Sequence, residues 1–208
     1  MKLIFVRHGQ TSWNLQRKLQ GQSDIPLDDS GIIQTKLLCS RFKTEKIDII
    51  FSSPLQRALD TALPIANFFN LGVICSGLIS ERNFGIIQGI KLKEIDQDVD
   101  KQIILKKTID PTYKPKMGES LEELQNRIFK FLGFLNMLDN SLKVLCITHG
   151  GILDLIYRFS QNEAINAPRK WKIPNTGVNV FDYSNGKLLL KNWADTRHLE
   201  NFISVDEL

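Results

Sequence analysis

The sequence that decides the fold is KLIFVRHGQTSWN, residues 2–14. Residues 2–7 form a short apolar run, and a polar loop that begins with His8 and Gly9 follows it immediately. A short apolar run that ends in polar loop residues is typical of a strand buried in a sheet. We therefore predict a central strand over residues 2–7, with a polar loop at its carboxyl end.

Two later stretches repeat this arrangement of an apolar run followed by polar residues. Residues 47–51 precede SSP at 52–54, and residues 144–147 precede THGG at 148–151. Residues 73–75 predict one more short strand. Helical patterns alternate with these strands, which is typical of a mainly parallel sheet. The predicted class is α/β, a three-layer sandwich with helices on both faces of the sheet.

Capping residues mark where the helices between these strands begin. Ser30 is the predicted N-cap of a helix that reaches residue 42. Ser53 is the predicted N-cap of a second helix with Pro54 at its first position, where the missing N–H of proline costs nothing. We expect Pro64 to kink or interrupt this second helix, because proline removes a helical hydrogen bond.

The second half of the chain has the clearer patterns. Ser120 and Glu123 form a capping box before an apolar stripe with helical spacing, and a further helix reaches from THGG to about residue 159. Residues 178–183 and 187–193 predict a hairpin around SNG. Between them and the first half, the pattern weakens over residues 82–118, which we interpret as a small helical or loop insertion over the site. Residues 1–208 then form one domain.

Composition limits the partners and the compartment. The chain of 208 residues has a net charge of +4, and its basic residues are spread without a nucleic-acid signature, so we expect no nucleic-acid partner. No apolar stretch approaches the roughly 18 residues of a membrane span, and no signal peptide is evident. Cys39, Cys75 and Cys146 are predicted to be reduced core residues. The expected protein is soluble and cytoplasmic.

Three loops that follow predicted strands carry the residues suited to chemistry: Arg7 and His8, Arg57 after SSP, and His149 in THGG. Ligands gather beyond the carboxyl ends of strands in open parallel sheets, so these side chains are expected at one rim. Arginine grips two phosphate oxygens with its planar fork, and neutral imidazole is a competent nucleophile. The glycines beside the histidines leave backbone N–H groups facing an oxyanion.

Each of these residues also has an ordinary structural interpretation. His149 could belong to a strand-to-helix turn whose glycines serve geometry alone, and Arg57 could pair with Asp60 on its own helix. His8 and His149 could hold a metal, but no carboxylate or cysteine stands at recognisable ligand spacing around them, so we predict no metal and no cofactor. His198 has no glycine context, and we interpret it as structural.

Six motifs in order give the chain a resemblance to the histidine phosphatase superfamily, the phosphoglycerate mutase-like proteins. The matching segments are LIFVRHGQTSWN at 3–14, QGQSDIPL at 20–27, SSPLQRALDTA at 52–62, ERNFG at 81–85, GES at 118–120 and THGG at 148–151. The resemblance covers nearly the whole chain. It is strongest for the small phosphatase branch, which includes broad-specificity and α-ribazole phosphate phosphatases.

The resemblance implies a role for each matching residue. His8 would take the phosphoryl group of a small-molecule phosphate monoester, and Glu81 would donate a proton to the departing alcohol. The remaining members would bind the phosphoryl oxygens or assist in that binding. They are Arg7, Arg57, His149, Asn14, Gln20, Gly21 and Gly150.

The alternatives concern what happens to the phosphate. A 2,3-bisphosphoglycerate-dependent phosphoglycerate mutase would keep it and return it to the substrate, but such mutases carry an arginine pair in a longer insertion, and no arginine lies between Arg82 and Arg127 here. A non-catalytic phosphate-binding domain is a third alternative. IIQG at 86–89 departs from the Trp and Glu of many relatives, which bears on substrate contacts. The oligomeric state is open, with a homodimer one possibility.

Overall fold

The computed structural model of the chain describes residues 1–91 and 99–200. Its strands form one sheet in the order β3-β2-β4-β1-β5-β6. The pairs β3–β2, β2–β4 and β4–β1 are parallel, whereas β1–β5 and β5–β6 are antiparallel. The predicted, mainly parallel sheet is therefore confirmed. The strands are β1 Lys2–Arg7, β2 Ile49–Ser52, β3 Val73–Cys75, β4 Lys143–Thr148, β5 Val178–Ser184 and β6 Lys187–Asp195.

Helices cover both faces of this sheet, as predicted. The side chains of β1 alternate between two cores: Leu3 and Phe5 pack on one side, and Ile4 and Val6 on the other. α5 and α6 contribute to the first core, while α2 and α3 contribute to the second. The helices are α1 Ser12–Leu15, α2 Asp29–Phe42, α3 Gln56–Phe69, α4 Val99–Lys107, α5 Leu121–Leu135 and α6 Gly150–Gln161.

The first helices begin differently from the prediction. The N-cap of α2 is Asp28 and not Ser30, because the Asp28 carboxylate accepts a hydrogen bond from the Gly31 amide at 2.8 Å and so satisfies an N-terminal donor of the helix. The loop after β1 also contains the short helix α1, which was not predicted. Thr11 caps α1 through a hydrogen bond from the Asn14 amide.

The prediction for α3 was wrong at both of its marked residues. The helix begins at Gln56, and Ser53 instead accepts a hydrogen bond from the Leu55 amide in the preceding turn. The helix also runs through Pro64 without interruption. Ala62 and Ile65, on either side of Pro64, are fully buried in the core. We attribute the continuity to this packing, which outweighs the one hydrogen bond that proline removes.

The capping box and the hairpin are confirmed. Ser120 and Glu123 exchange both hydrogen bonds of the box at the start of α5. β5 and β6 pair antiparallel around the SNG turn. Within the described part of the chain, no helix is long and apolar enough to cross a membrane.

The segment predicted as an insertion contains α4, a 3₁₀ turn at Gly85–Ile87 and irregular backbone, and its residues 92–98 lie outside the described residues. Its two ends are held together. The Ile86 amide donates to the Lys116 carbonyl at 3.1 Å, and Gly85 has a positive φ of 55° with that same carbonyl where a Cβ would stand. Only glycine fits this position, so the segment closes as a loop from the body of the fold.

The cysteine prediction holds for one residue of three. Cys146 is fully buried in β4, Cys39 is half-buried, and Cys75 is exposed. The prediction of a core position was wrong for Cys75 because β3 is an edge strand of three residues with a partner strand on one side only. All three thiols are free.

Candidate active site

The carboxyl ends of three adjacent parallel strands bring the predicted residues together. His8 follows β1, Arg57 lies in the first turn of α3 after β2, and His149 follows β4. The ring centroids of His8 and His149 are 5.1 Å apart, with 55° between the ring planes. Parallel pairing of β2, β4 and β1 explains this meeting, since it places the carboxyl ends of all three at one edge.

The hydrogen bonds of His8 define its tautomer. Its Nδ1 lies 2.7 Å from the Gly9 carbonyl oxygen, which can only accept, so Nδ1 carries the proton. Nε2 then holds the lone pair, and the Arg57 Nε–H donates to it at 3.3 Å. The ring is therefore oriented by its neighbouring backbone, and its nucleophilic nitrogen lies beside a guanidinium.

Burial and cations keep both rings neutral. Burial, followed by the charges of Arg57 and Arg7, holds the pKa of His8 well below its ordinary value of 6.5. Burial and then Arg57 lower the pKa of His149 in the same way. Neither ring nitrogen of His149 has a hydrogen-bond partner, although the side chain is fully buried. Buried polar atoms normally have partners, so His149 is poised to contact a ligand.

Arg57 is fixed by the loop that precedes α2, and not by Asp60. Its Nη2 donates to the Gly21 carbonyl at 2.7 Å and its Nη1 to the Ser23 carbonyl at 2.8 Å. Arg7, also fully buried, donates from Nη1 to the Ile173 carbonyl at 2.6 Å. Two guanidinium groups thus lie in the interior beside the histidines, with backbone carbonyls holding their orientation.

The predicted assisting residues lie around the same cavity. Asn14 is buried, and its Oδ1 accepts from both the amide and the hydroxyl of Thr11. Gln20 and Gly21 are buried in the loop that holds Arg57, and Gly150 is the first residue of α6. All four residues line a cavity of about 580 Å³ together with His8, Arg57 and Glu81.

Glu81 reaches this cavity from the turn that follows β3. Its Oε1 accepts hydrogen bonds from the Arg82 amide at 2.8 Å and the Gly151 amide at 3.1 Å. A Cβ at position 151 would collide with this carboxylate, so glycine is required there. The amide at the N-terminus of α6 thereby links the second histidine segment to the predicted acid.

The structure adds two residues that were missed from the sequence. The Asn175 side chain donates to the His8 carbonyl at 2.9 Å, and Arg127 donates to the Glu81 carbonyl at 2.9 Å while pairing with Glu119 at 2.7 Å. Both lie far from their partners in the sequence and carry no local motif. Only tertiary contacts reveal them.

Two further histidine and metal questions are answered by the geometry. His198 Nε2 lies 3.2 Å from the Thr176 hydroxyl and outside the cavity, in keeping with its structural interpretation. Over residues 1–91 and 99–200, no group of three or more His, Cys, Asp or Glu residues is arranged to hold a metal ion. The groups facing the cavity beside His8 are donors and carboxylates suited to an anionic substrate and proton transfer.

The buried histidines predict how stability depends on pH. A histidine with a lowered pKa stays neutral in the folded chain while the unfolded chain takes up its proton near pH 6.5. Unfolding is therefore favoured as the pH falls below 6.5, and the free energy of unfolding decreases by up to about 1.4 kcal/mol per pH unit for each of His8 and His149. His198, whose pKa is lowered to about 4 chiefly by burial, acts in the same direction.

Urea denaturation at pH 7, 6 and 5 in phosphate-free buffer measures this effect. The pH range lies above the one in which carboxylates such as Asp48 and Glu123, whose pKa values are lowered by hydrogen bonds, begin to be protonated. Equal unfolding free energies at pH 7 and pH 5 would contradict the neutral, buried state of the two histidines.

Comparisons with known proteins agree with this geometry. The family model of the histidine phosphatase superfamily (branch 1) matches residues 3–196. Phosphoglycerate mutase-like protein 4 of Arabidopsis thaliana is 34% identical over 206 residues, which are 96% of this chain and 87% of that protein. Metal-independent phosphoserine phosphatase of the same organism is 32% identical over 204 residues, covering 96% and 84%.

A solved structure shares both sequence and fold. It is a histidine-to-alanine mutant of phosphoserine phosphatase from Entamoeba histolytica in complex with phosphoserine. The two chains are 30% identical and superpose with a TM-score of 0.83 over 95% of this chain and 98% of that one. With nearly its whole length matched, this chain belongs to the histidine phosphatase superfamily, branch 1.

Proposed function

We propose that the chain hydrolyses small-molecule phosphate monoesters through a phosphohistidine formed on His8. The observation that carries this proposal is the state of His8 Nε2. It is a neutral imidazole nitrogen with its lone pair available, held by the Gly9 carbonyl at the other end of the ring and lying beside Arg57. A neutral, oriented imidazole is what nucleophilic attack on phosphorus requires.

In the first step, Nε2 attacks phosphorus in line and the bond from phosphorus to the ester oxygen breaks. The departing alkoxide takes a proton from Glu81, which lines the same cavity. Arg7, Arg57 and His149 donate to the phosphoryl oxygens, with assistance from Asn14, the Gln20–Gly21 backbone and Gly150. The unpartnered ring nitrogens of the buried His149 support its place in this set.

In the second step, water attacks the phosphohistidine and Glu81, now a carboxylate, accepts its proton. Inorganic phosphate and neutral His8 are regenerated, so atoms and protons balance over the cycle. Catalysis rests on positioning and on preorganised cationic donors, which occupy the role that metal ions have in other phosphoryl-transfer sites.

The test of this function is hydrolysis without a metal. Purified protein is expected to release phosphate from p-nitrophenyl phosphate and phosphoserine, at rates unchanged within about twofold by excess EDTA. Phosphoserine belongs in the assay because two relatives are named for it. Activity that EDTA abolishes and Mg²⁺ or Mn²⁺ restores would overturn the mechanism.

Phosphatase activity is favoured over mutase activity by the contacts of the only two arginines near the insertion. Arg82 donates to the carbonyls of Glu119 and Thr108, and Arg127 is paired with Glu119. Neither is disposed as an arginine pair for a substrate carboxylate. With 3-phosphoglycerate and 2,3-bisphosphoglycerate, the protein should form little 2-phosphoglycerate, and interconversion faster than its best hydrolysis would reverse the assignment.

The remaining expectations are part of the same proposal. Residues 1–208 form a single domain with an insertion at about 82–118, and the protein acts in the cytoplasm without a nucleic-acid or membrane partner. A non-catalytic phosphate-binding domain is disfavoured because His8, Glu81 and His149 are all present around one cavity. Whether the protein is a homodimer is a question for sedimentation measurements.

A further inference from the structure

Beyond the phosphoryl end, the cavity beside His8 has an apolar wall. The wall residues come from four separate parts of the described chain: the turn after Glu81, the insertion, α5 and α6 with its following loop. Several of them, such as Ile109 at 58% exposure, present apolar surface that nothing in the described chain covers. The wall consists of Phe84, Leu105, Ile109, Leu121, Leu155 and Ile165.

The charged groups of the cavity do not favour a second anion. Arg158 is paired with Asp154 at 2.7 Å, donates to the Ala164 carbonyl and lies over the Trp171 ring. Arg82 is held by the two carbonyls described above and by the Phe84 ring. The Asp154 carboxylate itself lines the cavity. A carboxylate on the alcohol half of the substrate would compete for arginines that are already engaged and would face Asp154.

Size points in the same direction. A cavity of about 580 Å³ falls within the usual range for drug-sized ligands, and such sites are typically apolar with a few polar groups that orient the ligand. A small hydroxy acid phosphate bound at His8 would leave most of the apolar wall in contact with water.

We propose that the alcohol half of the natural substrate is a bulky, largely apolar group, an alkyl chain or an aromatic ring system. It lies against the apolar wall while the phosphate lies between His8 and the arginines. This inference rests on the proposed function, and it names the substrate class for the same site. Leu105 and Ile109, which come from the insertion, are its specificity-determining residues.

The energetics of burial set the expected effect. A methylene group that is fully buried contributes about a three- to fourfold gain in binding. Along a series of unbranched alkyl phosphates, kcat/KM should therefore rise with chain length until the wall is covered. We expect hexyl phosphate to exceed ethyl phosphate by at least about tenfold, since several of its additional methylenes would contact the wall.

The experiment compares ethyl, butyl, hexyl and 2-phenylethyl phosphates with phosphoserine and 3-phosphoglycerate. The primary alcohols that leave from the alkyl series have similar acidity, so a rise with length reports contact and not leaving-group chemistry. Binding of ethylphosphonate and hexylphosphonate, which are not hydrolysed, is measured by calorimetry alongside. This second readout tests the wall independently of turnover.

Two variants on α4 locate the effect. Leu105→Asn places an amide on the wall, whereas Ile103→Asn makes the same kind of change at an exposed residue of the same helix that does not line the cavity. Leu105→Asn is expected to reduce the hexyl-to-ethyl ratio of kcat/KM by at least about threefold. Ile103→Asn should leave that ratio as in the wild type.

The outcomes separate this inference from the proposed function. Hydrolysis that does not depend on chain length, or a preference for phosphoserine or 3-phosphoglycerate over hexyl phosphate, would overturn the apolar substrate class while leaving the phosphatase intact. Equal loss of the ratio in both variants would also overturn the assignment of the wall. Tighter binding of hexylphosphonate without any hydrolysis would support the wall and refute the proposed phosphatase.

Discussion

Replacing His8 by alanine is expected to lower turnover of every phosphate monoester by at least about 10⁴-fold, the order of loss seen when a covalent nucleophile is removed. No other side chain in the described part of the site can substitute. His149 is neutral and 5.1 Å away between ring centroids, but it follows a different strand and is placed to contact the phosphoryl oxygens. Without Nε2 the remaining groups can bind the ester but cannot accept the phosphoryl group.

Rapid quench with labelled substrate measures this directly. The wild type should yield a phosphoenzyme that is labile in acid and stable in alkali, and His8→Ala should yield none. Because the side chain is buried, the variant also requires proof that it folds. Inorganic phosphate should still raise its melting temperature, since Arg7, Arg57 and His149 remain in place.

His198→Ala is the matched control, because His198 is also substantially buried but contacts Thr176 outside the cavity. It should retain the trapped intermediate and near-normal turnover. An intermediate that persists in His8→Ala, or one that disappears in His198→Ala, would mean that the nucleophile has been assigned to the wrong residue.

Replacing Glu81 by glutamine is expected to slow hydrolysis of alkyl phosphates by about 10² to 10⁴-fold, the usual contribution of a general acid. The loss on p-nitrophenyl phosphate should be clearly smaller. An alkoxide needs a proton as it departs, whereas p-nitrophenolate is stable near neutral pH. Glutamine has a similar shape and can still accept from the amides of Arg82 and Gly151, so the variant tests proton transfer more than packing.

The measurement is kcat/KM of wild type and Glu81→Gln on one alkyl and one p-nitrophenyl ester. Equal losses on the two esters would indicate that Glu81 binds or supports the site without donating a proton. Glu119 is a poor substitute donor, since it accepts hydrogen bonds from Arg127 and from the Asn83 amide and does not line the cavity.

Arg127→Lys provides a matched comparison for a positioning effect on Glu81. Lysine keeps the charge beside Glu119 but cannot reproduce the fork that reaches the Leu78 and Glu81 carbonyls together. A change here should alter alkyl and p-nitrophenyl esters in the same sense as Glu81→Gln but to a smaller degree. A loss confined to stability would assign Arg127 to the fold alone.

Much of the fold follows from patterns within a few residues of the chain. The apolar run at residues 2–7 predicts β1 over the bounds that it has, and the capping box at Ser120 predicts the start of α5. Both signals are local: one is the burial of consecutive apolar side chains, and the other is a pair of hydrogen bonds across three residues. Local signals fail where packing competes, as at Pro64.

The meeting of His8, Arg57 and His149 was also predictable, because it follows from a topological rule. Each residue closely follows a strand, and parallel strands deliver their carboxyl ends to one edge of the sheet. The placement of Glu81 was expected only through resemblance, because the turn after β3 has no distinctive local pattern.

What the sequence by itself determined is therefore the α/β class, the order of the main elements and the rim on which the reactive side chains stand, all consequences of apolar periodicity and strand direction. Only the tertiary structure decided the tautomer of His8, the lowered pKa values of both site histidines, the supports from Asn175 and Arg127, and the apolar wall of the cavity. The physical reason is range: desolvation and hydrogen bonding between residues such as His8 and Asn175, 167 positions apart, depend on everything packed around them.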